Sequence, residues 1–259
     1  MDLQRYVSDE LTHLVGSKLL NDNEAQYKLL LKILKEQQLR SLAFNQLTID
    51  YEKNLSDDQM FCPSVVCFCD IPLGDLQIHM KKYGTFGLSF SKRVLIDKGA
   101  NPVFYIAINS KVTVAQAKGI FWHSPSPAIP PPLSTVTEGG DRSTRYEYFN
   151  RMGHEYWILF DDLRKKIAAS GQIPNWDWDR FRQLDDFLNY YIFSFFKPFY
   201  AGLSDDDKKN YYMEREWRVF QCVTFGPQEV SHVILPETYA SRLKSNLPVY
   251  AGQIYPVDG

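Results

Sequence analysis

Two glutamates and an arginine stand at alternate positions in the segment Tyr211–Phe220. If this segment is a strand, Glu214, Glu216 and Arg218 share one face, because successive side chains of a strand point to opposite sides. Two carboxylates and a guanidinium on the same face do not suit an apolar core. The pattern leaves two interpretations open: a solvated strand face, or the wall of a polar cleft suited to acid–base chemistry.

A histidine lies on a short apolar stretch near the start of the chain. His13 falls within Leu11–Val15, which predicts a strand, and a lone histidine on such a strand is usually a core residue. The order of elements gives it a second interpretation. His13 is followed by an amphipathic helix over residues 23–37, a middle strand within Phe86–Ser91 and the late strand with Glu-x-Glu. Asn23 is the predicted N-cap of the helix, whose apolar face carries Tyr27, Leu30, Leu31 and Leu34.

This order resembles the ADP-ribosyltransferase superfamily, whose clefts carry a first-strand His or Arg, a middle-strand aromatic or Ser segment and a late-strand Glu. The resemblance implies NAD as a substrate and catalysis by Glu216, Glu214 and His13. Glu216 would hold the ribose while positive charge develops on the breaking nicotinamide–ribose bond. Glu214 would orient or deprotonate the acceptor as a general base.

The same resemblance implies the residues that bind NAD. His13 would donate a hydrogen bond to the other ribose, and Tyr83 or Phe90 would stack on the nicotinamide. Arg218 completes the implied NAD-binding set. Position 89 departs from the family pattern, because many transferases carry an aromatic residue there and this chain carries Ser89.

Four short blocks resemble a second family, the bacterial AbiGi proteins of abortive phage resistance. The blocks are Tyr6–Gly16, Val66–Leu73, His79–Gly84 and Glu214–Arg218. AbiGi-like proteins are associated with phage-defence or toxin–antitoxin loci. The arrangement is also similar to the DNA-modifying DarT toxins, with His13, the helical stretch Leu30–Leu34 and the strand Phe86–Phe90 in the corresponding order.

These resemblances predict a toxin-like ADP-ribosyltransferase that uses NAD to modify a nucleic acid or a protein in phage defence. The alternative is a non-catalytic antitoxin or interaction module of an abortive-infection system, and a third option is a nuclease or glycosidase built on the same cleft. The predicted partners are NAD, a cognate antitoxin or toxin, and a single-stranded nucleic acid as acceptor. The basic residues near the cleft either meet phosphates or are simply solvated: Lys81, Lys82, Lys92 and Arg93.

Composition narrows the class of protein. The 259 residues include 29 Lys plus Arg and 31 Asp plus Glu, a net charge of -2, which argues against a dedicated nucleic-acid coat. No apolar run approaches the roughly 18 to 20 residues of a membrane span, so we expect a cytoplasmic protein without membrane contact. The four cysteines suit reduced thiols, and their spacing does not match paired zinc knuckles, so we expect no metal.

The elements that must position these residues predict an α+β fold in a single domain over residues 1–259. The resemblance implies that its core is an ADP-ribosyltransferase-like split β-sheet with a helical insertion. Strands are predicted at both ends of the chain. Residues 146–197 form the predicted helical insertion, whose second helix, Asp177–Lys197, is expected to stop at Pro198. Five prolines predict a mobile loop over residues 123–145.

Overall fold

The computed structural model describes residues 8–41, 48–49, 61–107, 158–159, 161–169, 175–200, 202–204, 207, 210–248, 250 and 252–258. It divides into two compact units, one formed by residues 1–46, 63–103 and 205–259 and the other by residues 47–62 and 104–204. Whether the two units fold as one domain, as the sequence predicts, stays a prediction. The predicted mobile loop over residues 123–145 lies outside the described residues.

The first unit is built on a seven-stranded sheet. Its strands are β1 (Glu10–Leu14), β5 (Val65–Cys69), β6 (Gly87–Ser91), β7 (Asn101–Pro102), β10 (Glu216–Phe220), β12 (Val230–Pro236) and β13 (Gln253–Val257). Their order across the sheet is β13-β12-β6-β1-β5-β10-β7. Only β12 and β13 pair in parallel, and the other neighbours are antiparallel. The predicted α+β class is therefore confirmed, with a mixed sheet as its core.

A short two-stranded sheet adds β2 (Gln38–Arg40) to β11 (Cys222–Thr224) in the same unit. The second unit carries two further pairs of strands. In it β3 (Thr48–Ile49) pairs with β4 (Phe61–Cys62), and β8 (Phe104–Ala107) pairs in parallel with β9 (Phe196–Phe199).

One face of the large sheet carries the main apolar core. Helix α1 (Asn23–Glu36) places Tyr27, Leu30 and Leu34 against it, as the helical spacing of these residues predicts. The strands contribute the buried side chains Leu11, Phe68, Leu88, Phe90, Val219 and Val233. Asp22 caps α1, because its carboxylate accepts a hydrogen bond from the Ala25 amide at 2.9 Å. The sequence predicts Asn23 in this role, so the predicted cap is wrong by one residue.

The other face of the sheet is covered by helix α2 (Gln77–Tyr83). A smaller apolar cluster forms there from Cys69, Leu76, Met80 and Ile234. Helix α3 (Lys92–Asp97) follows β6 directly, with Ser91 accepting a hydrogen bond from the Val94 amide as its cap. Of the polar residues that are candidates for function, Glu216 and Arg218 point to this second face from β10, and Tyr83 belongs to α2.

The second helix of the helical insertion ends two residues earlier than predicted. Residues 161–169 are helical, and helix α4 (Asn175–Asp186) continues as a π-helical segment, Phe187–Ile192, and a 3₁₀ turn, Phe193–Phe195. The chain then enters β9, so Pro198 lies inside a strand and does not end the helix. The physical reason is the parallel pairing of β9 with β8, a partner about 90 residues earlier in the sequence.

Candidate functional site

Three carboxylates and their cationic partners lie together at the junction of α2, α3 and the start of β10. We call this group the carboxylate cluster; its members are Asp70, Lys82, Tyr83, Lys92, Glu214, Arg215, Glu216 and Arg218. Its residues come from five separate stretches of secondary structure or loop. The sheet brings them together, because β10 pairs with β5 along its whole length.

Glu216 and Arg218 occupy the same face of β10, as the alternation in the sequence predicts. The Arg218 Nε atom donates a hydrogen bond to Glu216 Oε1 at 2.6 Å, and both side chains are almost completely buried. Across the sheet they stand opposite Cys69 and Cys67. The positive charge of the Arg218 guanidinium compensates the negative charge of the Glu216 carboxylate. Both side chains can therefore be buried in the packed interior of the protein.

Glu214 reaches the cluster by a different route from the one that the sequence predicts. It does not belong to the strand but ends a 3₁₀ turn, Tyr211–Glu214, and Arg215 follows with a left-handed backbone (φ +44°). The prediction of a strand face that begins at Glu214 is therefore wrong. The turn nevertheless buries the Glu214 side chain, whose Oε1 atom accepts hydrogen bonds from Lys82 Nζ and Tyr83 OH.

Tyr83 takes part in the cluster as a hydrogen-bond donor. Burial, together with the negative charge of Glu214, raises the pKa of the Tyr83 phenol well above its ordinary value. The phenol therefore stays protonated and keeps its bond to Glu214. The His79 ring lies 4.7 Å from the Tyr83 ring, and burial lowers the pKa of His79 to about 4, so this imidazole is neutral at pH 7.

Asp70 is a member that the sequence analysis missed. Its carboxylate accepts a hydrogen bond from the Ser8 amide at 3.1 Å, and Oδ2 lies 2.9 Å from Lys92 Nζ and 3.5 Å from Arg215 Nη2. The available signal was its position, since a carboxylate that directly follows a buried strand requires a partner. The Asp70 amide also donates to the Arg215 carbonyl at 3.1 Å, which fixes the turn before β10.

His13 lies on the opposite side of the sheet from Glu216. Thr12 and Glu216 both stand opposite Cys69, so strand alternation turns the neighbouring His13 to the other face. There its ring packs near Phe68, and its Nδ1 atom donates to the Cys67 carbonyl at 2.7 Å. Burial lowers the pKa of His13. The described contacts bring Glu214, Glu216, Arg218 and Tyr83 together and do not include His13.

Phe90 belongs to the core. It is completely buried, and its ring makes edge contacts with Phe68 and Phe225. Stacking on a ligand, the role implied for Phe90 by the transferase resemblance, does not fit this position, because both faces of the ring are enclosed by protein.

A second polar group on the α2 face was also missed from the sequence. Ser89 Oγ donates to Glu10 Oε2 at 2.6 Å, and His232 Nδ1 lies 3.0 Å from the same oxygen and 3.3 Å from Ser89 Oγ. Ser89 is completely buried, and Glu10 and His232 are partly buried. The three side chains contact one another and link β1, β6 and β12. The same nitrogen of His232 faces both the serine and the carboxylate, whereas a relay uses one ring nitrogen for each.

The chemistry open to these clusters follows from their pairing. In the carboxylate cluster, Asp70, Glu214 and Glu216 each form an ion pair with a Lys or Arg side chain of the same chain. Carboxylates paired in this way suit a structural or docking role better than proton transfer. Among the described residues, no three His, Cys, Asp or Glu side chains are arranged to hold a metal ion. Within the same residues, no helix combines the length and the apolar character needed to cross a membrane.

Comparison with known families gives one match. The family model described as "Putative abortive phage resistance protein AbiGi, antitoxin" matches residues 26–121. This supports the AbiGi-like resemblance over that stretch. No curated protein sequence and no solved structure matches the chain.

The match corrects the first functional prediction. The sequence analysis predicts a toxin-like ADP-ribosyltransferase, whereas the matching family is described as an antitoxin. The toxin prediction is therefore wrong, and the alternative of a non-catalytic antitoxin or interaction module agrees better with the match. The transferase-like fold has no match among solved structures, and NAD binding stays a prediction.

Proposed function

We propose that this protein is the antitoxin of an abortive phage-resistance system and neutralises a cognate toxin by binding it. The observation that carries the proposal is the match of residues 26–121 to the AbiGi antitoxin family. That stretch includes α2 and α3, which supply Lys82 and Lys92 to the carboxylate cluster, and it includes Asp70, which directly follows β5.

The burial and ion pairing of the carboxylates support a binding role. Glu214 and Glu216 are the residues with the types expected of a catalytic pair, and each is buried and bound to a cation of the same chain. A general base needs a carboxylate that can reach a substrate proton. Carboxylates held in this way instead fix the shape of the surrounding surface, which is what recognition of a protein partner requires.

Growth of a bacterial host tests the proposal. The chain is expressed alone and then together with the product of each gene that flanks its own. We expect the chain alone to leave growth unchanged, one flanking product to arrest growth, and co-expression to restore it. A version of the same gene with an early stop codon is the control, because it keeps the transcript and removes the protein.

Two further measurements separate binding from catalysis. The rescued toxin should co-purify with the chain in a fixed ratio, and the purified chain incubated with NAD should leave the NAD concentration unchanged. Growth arrest by the chain alone, or consumption of NAD, would contradict an antitoxin role.

A further inference from the structure

The outer side of the carboxylate cluster is a surface formed by the turn Tyr211–Arg215 and the neighbouring end of α2. We call it the Tyr212 surface; its members are Lys82, Tyr211, Tyr212, Met213 and Arg215. We propose that this surface binds the cognate toxin, and that the toxin meets it with an apolar patch carrying Asp or Glu side chains. This inference rests on the proposed antitoxin function and names the site and chemistry of its partner.

The first argument is the layering of charge. The Lys82 side chain is 19% exposed and its partner Glu214 only 8%, while Arg215 is 36% exposed and its partner Asp70 only 7%. In both ion pairs the cation lies outside and the carboxylate beneath it. The surface therefore presents positive charge to a partner although the cluster as a whole is nearly neutral, and acidic side chains are its complement.

The second argument is the exposed apolar area beside these cations. Tyr212 is 52% exposed and Met213 is 38% exposed, both in the turn that ends at the buried Glu214. Lys82 Nζ lies 4.8 Å from the centre of the Tyr211 ring. Tyr, Met and Arg are the residue types enriched at the centres of protein interfaces, where they combine large contact area with a polar group.

The third argument is that the turn is held rigidly. The Arg215 carbonyl accepts a hydrogen bond from the Asp70 amide, and the Arg215 side chain pairs with the Asp70 carboxylate. Glu214 accepts hydrogen bonds from Lys82 and Tyr83. The exposed side chains of the turn are thus presented from a backbone with several fixed points. A preorganised turn of this kind loses little conformational entropy on binding.

A protein partner fits this surface better than a nucleic acid. Binding to a phosphate backbone depends on several cations that are not already neutralised. Here Lys82 and Arg215 are each paired with a carboxylate, and the chain has a net charge of -2. Lys82 and Arg215, each already paired with a carboxylate, lie beside Tyr212 and Met213. This combination suits a protein surface that is partly apolar and partly acidic.

Binding of the toxin identified by growth rescue tests the inference. Tyr212→Ala and Arg215→Gln are measured by calorimetry, with Lys32→Gln as the charge-matched control. Lys32 is exposed on α1, which packs on the opposite face of the sheet. We expect Tyr212→Ala and Arg215→Gln each to raise Kd about tenfold or more, and Lys32→Gln to change it less than twofold. Added salt should weaken wild-type binding more than that of Arg215→Gln.

The outcomes separate the site from the function. Melting temperatures close to that of the wild type show that a weakened variant is folded. If both folded variants bind the toxin as tightly as the wild type, the Tyr212 surface is not the docking site and the antitoxin function stands. If no flanking product is rescued or bound by the wild type, the function itself fails. If the variants lose binding to a single-stranded oligonucleotide but keep full affinity for the toxin, the surface serves a nucleic acid and the inference is overturned.

Discussion

The two glutamates of the predicted catalytic set, Glu214 and Glu216, form internal ion pairs in the folded chain. Alternation predicts that Glu216 and Arg218 share a face, and the structure agrees because both belong to β10. Strand alternation does not predict the position of Glu214. That position depends on the left-handed backbone of Arg215 and on an ion pair with Lys82, which is 132 residues distant in the sequence. Local spacing contains neither fact, so the sequence alone identifies Glu214 as a candidate without identifying its partners Lys82 and Tyr83.

The pair Arg218–Glu216 provides a test of how the cluster stabilises the fold. Arg218→Met leaves a buried carboxylate without its guanidinium, and we expect the free energy of unfolding to fall by about 3–5 kcal/mol. Adding Glu216→Gln should recover part of that loss, because the remaining buried group is then uncharged. Urea unfolding of the wild type, both single variants and the double variant measures the coupling. Additive effects of the two changes would show that the pair does not act as a unit.

Buried histidine makes the stability of the protein sensitive to acid. The pKa of His79 falls from its ordinary value of 6.5 to about 4 in the folded chain. Between these values the unfolded chain binds a proton that the folded chain does not, so stability falls as the pH drops from 6.5 toward 4 as far as it depends on His79, and His79 causes no loss well above pH 6.5. The loss from this residue is at most roughly 3 kcal/mol.

Thermal melting at pH 7 and pH 5 checks this effect. We expect a lower melting temperature at pH 5 and a smaller difference between the two pH values in His79→Gln. The His13 pKa is lowered as well, so part of the acid sensitivity should remain in that variant. An unchanged difference in His79→Gln would mean that His79 is already protonated at pH 5 without cost.

At the scale of elements, helices and strands with strong periodicity are predictable and their ends are less so. The stripe of Tyr27, Leu30 and Leu34 predicts α1, and these residues are buried as expected. The predicted helix over Asp177–Lys197 is too long because the chain leaves it to pair β9 with β8. That hydrogen bonding joins residues far apart in sequence, so it overrides a helical pattern that looks continuous locally.

The cap of α1 gives a direct comparison between the predicted and the observed helix start. Asp22→Ala should lower the free energy of unfolding by about 1 kcal/mol, because the Ala25 amide loses its acceptor. Asn23→Ala is the matched control, and we expect it to be neutral or slightly stabilising, since alanine is the better helix former inside the first turn. Chemical denaturation of the two variants measures both effects. A larger loss in Asn23→Ala would return the cap to the position predicted from the sequence.

At the scale of the whole molecule, the α+β class is predictable but the order of strands is not. The sequence predicts strands at the positions of β1, β6 and β10. Their neighbours are set by pairing across long stretches of chain, as when β12 joins β6 and β10 joins β5. The transferase-like order of motifs along the chain therefore does not determine which face of the sheet each motif occupies, and His13 and Glu216 lie on opposite faces.

The strand order predicts that the stretch matching the antitoxin family does not fold on its own. Residues 26–121 contain β5, β6 and β7, yet β1 lies between β5 and β6, and β10 lies between β5 and β7. Both separating strands fall outside the stretch, as does β11, the partner of β2. Every strand that this fragment would contribute to the two sheets of the first unit therefore lacks its hydrogen-bonded neighbours and exposes its apolar face.

We expect the isolated fragment 26–121 to show no cooperative unfolding transition in urea and rapid exchange of its amide protons, with the full chain as the folded control. A cooperative transition in the fragment would contradict the prediction and would mean that its strands pair in another order. If the fragment is unfolded as expected, toxin binding by it must also be absent, because the turn Tyr211–Glu214 with the following Arg215, and the Glu214 carboxylate that pairs with Lys82, belong to the rest of the chain. Recognition and folding would then depend on the same long-range contacts.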